Sequence, residues 1–216
     1  RAIFGTVACS LTLLAVACTG GGAASPTSTP ETAPTQVQPD ATPVPIPTPE
    51  ITQSQVPRDT SPHVSESTLA ELTEGNTAFA FDLYQALRES EGNLFFSPFS
   101  ISAALAMVYA GARNETERQM AETLHFSLPQ ERLHPAFNAL DLSLSALNRV
   151  QDPDFQPFQL RIANSLWGQS SFEFEGEFLE LIETNYGAGL GLVDFVDPSN
   201  REEARLAINQ WVSDQT

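Results

Sequence analysis

Few residues of this sequence have a type and spacing that could perform catalysis. The three histidines, His63, His125 and His134, stand singly, with neither a Gly-x-Ser-x-Gly nucleophile turn nor a His-Glu-x-x-His zinc pair in the chain. A phosphate-binding glycine loop and a paired-cysteine metal knuckle are missing as well. A lone histidine is more often a surface or packing residue than a base. The sequence therefore predicts no enzyme and no bound cofactor.

Cys18 is the residue for which the sequence suggests a covalent modification. Residues 2–17 are uncharged and mostly apolar after Arg1, a run too short for a membrane span of about 20 residues and typical of an export signal. Small residues then precede Cys18, which resembles a bacterial lipobox, although Ala15 stands where leucine is more usual. We expect residues 1–18 to be a signal whose Cys18 is acylated. An ordinary signal with a chance cysteine is the alternative, and Cys9 lies inside the apolar run.

Residues 19–65 have the composition of a spacer. Ten of the sixteen prolines lie between Pro26 and Pro62, interleaved with Thr, Ser and Gln. Such a stretch has too little apolar surface to offset the entropy lost on ordering, and its proline runs favour extended conformations. We predict a disordered linker, with a ligand for a proline-binding domain as the alternative. Signal and spacer together predict a protein held by a lipid anchor on the outer side of a bacterial membrane.

The charge of the chain excludes several partner classes. It carries 27 acidic residues against ten basic ones, for a net charge of −17. Such acidity argues against binding to nucleic acid and against electrostatic adhesion to anionic lipid. The glutamates between residues 173 and 183 are most simply a solvated face, and a patch for a basic partner is the alternative reading.

The segment from Ser97 to Gly111 predicts a helix inside a large core. Ser97 is an N-cap residue and Pro98 suits the first helical position, where its missing N–H costs nothing. The residues that follow are apolar on nearly every face, as in buried helices, and Gly111 could end the helix in the left-handed conformation. Ser97 and Ser100 should then lie in a buried region and need hydrogen-bond partners there.

Patterns along the rest of the chain predict an α+β fold with about six helices and two strands. Apolar residues at helical spacing, capping boxes and glycine turns mark the helices, and alternation marks the strands. The predicted helices are 69–87, a segment from Pro98, 116–124, a segment from Pro135, 178–186 and a segment capped at Ser199, and the strands are 158–167 and 192–195.

One motif resembles a known family. Asn93-x-x-x-Ser97-Pro98-x-Ser100-Ile101 is similar to the start of the second helix of the serpins, inhibitors of serine and cysteine proteases. Four further segments resemble serpin elements in the same order, so that the resemblance covers Leu69 to Thr216. They are Gly111–Thr116, Ile162–Trp167, Val193–Phe195 and Ile208–Val212.

The resemblance implies that residues 66–216 are the N-terminal, incomplete part of a serpin domain, whose helices pack on part of a large mixed sheet. Its partner would be a target serine or cysteine protease, and the bait loop that the protease cuts would lie outside this sequence. Asn93, Ser97, Pro98 and Ser100 would belong to the gate that the cut loop passes on entering the sheet. A non-inhibitory surface lipoprotein of serpin fold, with a binding or structural role, is the alternative.

Overall fold

The computed structural model describes residues 50–52, 56–147, 160 and 162–215. Six helices and one small three-stranded sheet make up this part of the chain, which is compatible with the predicted α+β fold. The elements are β1 (Glu50–Thr52), α1 (Glu66–Leu87), α2 (Pro98–Tyr109), α3 (Asn114–Leu124), α4 (Gln130–Ala146), β2 (Leu166–Gln169), α5 (Gly176–Tyr186), β3 (Leu190–Val193) and α6 (Arg201–Gln215).

Helix α2 lies at the centre, as its all-round apolar sequence predicts. One side packs with α1, α3 and α4 around Ala106, Tyr109 and Phe137, all buried. Its other side carries Met107, which shares a second buried cluster with Ile182 of α5 and the sheet. Because both sides of α2 are covered, it joins a helical core to the underside of the sheet.

The sheet has the strand order β1-β3-β2, with β3 in the middle. β2 runs parallel to β3, with Leu166 opposite Leu190 and Trp167 opposite Gly191, whereas β1 runs antiparallel to β3. Leucines 166 and 190 face α2 and α5, and Trp167 faces α6. The indole lies directly on Gly191, where an added Cβ would come within 2.4 Å of its ring. The sheet is thus covered by helices on both faces.

The strand boundaries differ from the prediction. Residues 162–165 are not strand, and β2 begins only at Leu166, while most of the remaining part of the predicted 158–167 strand lies outside the described residues. β3 ends at Val193 instead of continuing to Phe195. The reason is that a side chain takes the place of a neighbouring strand as hydrogen-bond partner: the Phe195 N–H donates to Gln169 Oε1 at 2.7 Å.

Several helix ends also differ: α1, α3 and α5 begin two or three residues earlier than predicted, at Glu66, Asn114 and Gly176. α4 begins at Gln130, five residues before Pro135, and continues through that proline. Its buried face includes Leu133 and Phe137 on either side of Pro135, so that packing stabilises both parts. α2 ends with Ala110 in the right-handed conformation at φ −53°, so the predicted left-handed Gly111 cap is wrong.

The chain ahead of α1 is more ordered than the predicted linker. β1 is a strand. Farther on, Arg58 and Asp59 bond to α4 and α5, and Ser65 caps α1 by accepting from the Thr68 N–H at 3.2 Å. The prediction of disorder up to residue 65 is therefore wrong for these segments, while residues 1–49 lie outside the described part.

Candidate functional site

The start of α2 is the candidate site that the sequence singles out. Ser97 caps the helix by accepting from the Ser100 N–H at 3.3 Å, and the two serine hydroxyl oxygens lie 2.9 Å apart. Pro98 occupies the first helical turn, as its fixed φ favours. Asn93 lies just ahead, after Gly92 with φ 94°. The structure thus brings Ser97 and Ser100 into one hydrogen-bonded pair at the N-terminus of a central helix.

The burial predicted for this pair is not observed. Ser97 and Asn93 are exposed, and Ser100 and Pro98 are half-buried. An N-cap hydroxyl lies at the end of its helix, where water can reach it unless another element covers the end. Among the described residues no element does so, and the two hydroxyls satisfy one another.

The buried hydroxyl of α2 is that of Ser102, which the sequence pattern did not single out. It is fully buried and donates to Asn76 Oδ1 of α1 at 2.6 Å. The Asn76 Nδ2 group is buried and finds no partner among the described residues. Ser102 follows Ser100 by two positions, so it projects from a different side of the helix. The pattern Ser-x-x-Ser-x-Ser alone did not reveal which hydroxyl meets α1.

A buried histidine lies deeper in the same core. His134 of α4 is 1% exposed, and its Nδ1 lies 2.8 Å from the Tyr186 hydroxyl of α5. Its Nε2 is buried without a partner among the described residues. Burial, with a smaller effect from the charge of Arg113, lowers the pKa of His134 to about 4. The imidazole is therefore neutral near pH 7, and its ring packs against Tyr109 and Tyr186.

A cavity of about 100 Å³ lies beside α2. Its walls come from α2, α4, the end of α5 and the segment leading into β2, and they include charged as well as apolar groups. The lining residues are Arg58, Phe99, Ala103, Met107, Phe137, Asp141, Ile162, Asn164, Tyr186 and Ala188. Phe99, which lines the cavity, directly precedes Ser100, so the cavity lies close to the start of α2.

Asp194 fixes the start of α6 against the sheet. Its Oδ1 accepts from Gln169 Nε2 at 2.8 Å and from the Val196 N–H at 3.0 Å, and its Oδ2 accepts from Asn200 Nδ2 at 3.0 Å. These hydrogen bonds, that of Gln169 foremost, hold the pKa of the Asp194 carboxyl well below its usual range. The carboxylate thus stays ionised at neutral pH and joins β2, β3 and the loop before α6.

Metal binding finds no support in the described residues. No group of three His, Cys, Asp or Glu side chains there is placed to hold an ion. Several acidic side chains are instead paired with arginines on their own helices, as Glu115 is with Arg118 at 2.6 Å. Cys18 lies outside the described residues.

Comparison with known proteins assigns this arrangement to a family. The family model for serpins, described as serine protease inhibitors, matches residues 74–216. The chain belongs to the serpin family. The match includes α2 with its Ser97 cap and α6 across the sheet, so the sequence resemblance is confirmed.

Curated serpins of one kind are similar to this chain. The leukocyte elastase inhibitor of Sus scrofa is 43% identical over 150 residues, and that of Homo sapiens is 41% identical over 150 residues. The inhibitor of Xenopus laevis is 42% identical over 147 residues. The matches cover 67–68% of this chain and 37% of each relative. The chain therefore spans little more than a third of the length of these relatives.

Proposed function

We propose that this chain is the N-terminal portion of an inhibitory serpin, whose complete protein traps serine or cysteine endopeptidases by inserting its cut bait loop into the sheet. Membership of a family of protease inhibitors, with similarity to elastase inhibitors, is the observation that carries the proposal. In this scheme the protease forms an acyl bond to the bait loop, and insertion of that loop as an extra strand then distorts the protease before the acyl bond is hydrolysed. The bait loop belongs to a part of the protein beyond this sequence.

The described sheet is part of the larger sheet that the family resemblance implies. Its strand β2 packs on α2, because Leu166 of β2 shares one buried cluster with Met107 of α2. By the family resemblance, Asn93, Ser97, Pro98 and Ser100 at the start of α2 belong to the gate that the cut loop passes, and that role is part of this proposal.

The experiment is a complex assay on the complete protein that contains this chain. Purified protein is mixed with serine and cysteine proteases, with elastase first because of the names of the relatives, and SDS gels are run. An inhibitory serpin gives an SDS-resistant covalent complex and a stoichiometry near one. Cleavage without complex formation would reject inhibition and support the non-inhibitory surface lipoprotein instead.

We also propose that the protein is exported and anchored through acylated Cys18. The support for a lipid anchor is the lipobox-like segment ahead of the spacer. As a separate finding, no helix among the described residues is long and apolar enough to cross a bilayer. A single acyl chain binds membranes only marginally, so stable anchoring needs the multiple acylation of a bacterial lipoprotein. Radiolabelled palmitate should enter the protein in bacteria but not its Cys18→Ser variant, whereas equal labelling would reject the anchor.

A further inference from the structure

We propose that the outer edge of β3 is a strand-docking surface and that its occupant is the chain's own linker. The occupying segment, here called the strap, consists of β1 and residues 56–59. β1 pairs antiparallel with β3, with Glu50 opposite Leu192 and Thr52 opposite Leu190. An uncovered β3 edge would present free N–H and C=O groups to other chains, and β1 closes it.

Arg58 anchors the strap to α4. Its Nε donates to Asn138 Oδ1 at 2.9 Å and its Nη2 donates to Asp141 Oδ2 at 2.7 Å. Asn138 is fully buried, and its Nδ2 donates in turn to the Asp59 carbonyl at 2.7 Å. The buried Asn138 side chain bonds to the strap through both its oxygen and its nitrogen, so it would lose both partners if the strap detached. Such loss is costly, because buried polar groups need partners.

The strap also contacts α5 and the glycine that ends it. The Asp59 N–H donates to the Thr184 carbonyl at 2.9 Å. Gly187 lies so close that an added Cβ would come within 2.7 Å of Arg58 Cδ. The segment ahead of α1 is therefore held at three independent places: the sheet edge, α4 and α5.

The strand on the β3 edge belongs to the same chain and not to a second copy of the protein, because only a short connection joins β1 to Arg58. Residues 53–55 alone separate Thr52 from Val56, and Arg58 is already fixed on α4. A segment tethered so closely has an effective concentration in about the millimolar range, which a second molecule in dilute solution does not reach. If the proposed lipid anchor is present, a pull transmitted from it along the chain would act first on β1.

A paired disulfide test examines the register. In the full chain with Cys9→Ser and Cys18→Ser, Glu50→Cys is combined with Leu192→Cys, directly opposite in the ladder. Opposite residues in an antiparallel pair lie about 4.5–5.5 Å apart between Cα atoms, within disulfide range. The matched control, Thr52→Cys with Leu192→Cys, is displaced by two residues and lies beyond that range.

Mild oxidation should give an intramolecular cross-link in the first pair, seen as faster migration on non-reducing gels, and little or none in the control. Equal cross-linking of the two pairs, or none in either, would overturn the proposal. Covalent dimers in place of the intramolecular product would show that a second copy occupies the edge, and would overturn it too.

Hydrogen exchange tests whether Arg58 holds the strap in place. Arg58→Ala should raise the exchange rate of the amides of β1 about tenfold, which corresponds to about 1.4 kcal/mol. Arg88→Ala is the control, since Arg88 is exposed and pairs with its neighbour Glu89 at 3.2 Å. Unchanged exchange in Arg58→Ala would show that the arginine does not hold the strap. Neither experiment involves a protease, so this proposal can fail while the inhibitory function stands.

Discussion

Replacement of His134 by glutamine should remove a pH dependence from the stability of this fold. His134 is enclosed by Tyr186, Tyr109 and the charge of Arg113, and burial lowers its pKa from the ordinary 6.5 to about 4. The folded state therefore resists protonation of this imidazole, whereas the unfolded state accepts the proton readily. Its stabilising effect is complete above pH 6.5 and is lost progressively as the pH falls towards 4.

The magnitude follows from the two pKa values. Their difference corresponds to about 3 kcal/mol when fully expressed. Between pH 7.5 and pH 5.0, before the folded state itself takes up the proton, the loss should be about 2 kcal/mol. That is a large share of the stability of an ordinary domain, about 5–15 kcal/mol.

Urea unfolding of the complete protein at pH 7.5 and 5.0 measures the effect. His134→Gln should be less stable at pH 7.5, because it loses ring packing, but its free energy of unfolding should fall by about 2 kcal/mol less than that of the parent on acidification. His63→Gln, which removes an exposed histidine ahead of α1, should behave as the parent does. Parallel losses in His134→Gln and the parent would refute the reasoning.

Three further substitutions test contacts around α2 and the sheet. Ser97→Ala removes the N-cap acceptor and should cost about 1 kcal/mol in the free energy of unfolding, with no loss indicating that the cap is redundant. Ser102→Ala leaves the buried Asn76 amide oxygen without its 2.6 Å donor and should cost about 1–3 kcal/mol, more than Ser97→Ala; the reverse order would contradict the burial. Gly191→Ala forces a methyl group into the Trp167 ring and should lower the melting temperature by several degrees, whereas a neutral effect would mean that the indole can move away.

Local signals predicted the presence of the six described helices better than their first residues, and no side chain caps α3. Ser97 caps α2 as expected, and Gly187 ends α5 with φ 61° in the left-handed region. Asn114 also has a positive φ, of 57°, which Asn tolerates better than most residues. Capping and turn residues act within a few positions of the chain, so their effects can be read without the rest of the fold.

Features that depend on distant partners could not be read in this way. β1 lies in a proline-rich spacer and is a strand because β3 offers a free edge, which no local pattern records. The exposure of Ser97 and the burial of Ser102 depend on where α1 crosses α2. Pro135 seemed to start a helix, yet tertiary packing of Leu133 and Phe137 carries α4 through it. The gate assignment itself comes from the family resemblance and stays a prediction.

The position of the two tryptophans makes this fold suitable for a simple optical measurement. Trp167 and Trp211 are the two tryptophans of this sequence. Their rings meet edge to face between the sheet and α6, with centroids 6.4 Å apart. Because both indoles lie at one interface, the tryptophan fluorescence of this part of the protein reports on that interface. Separation of α6 from β2 would change the emission while the helical core around α2 remained folded. Stopped-flow fluorescence could therefore time the departure of one helix without any added label.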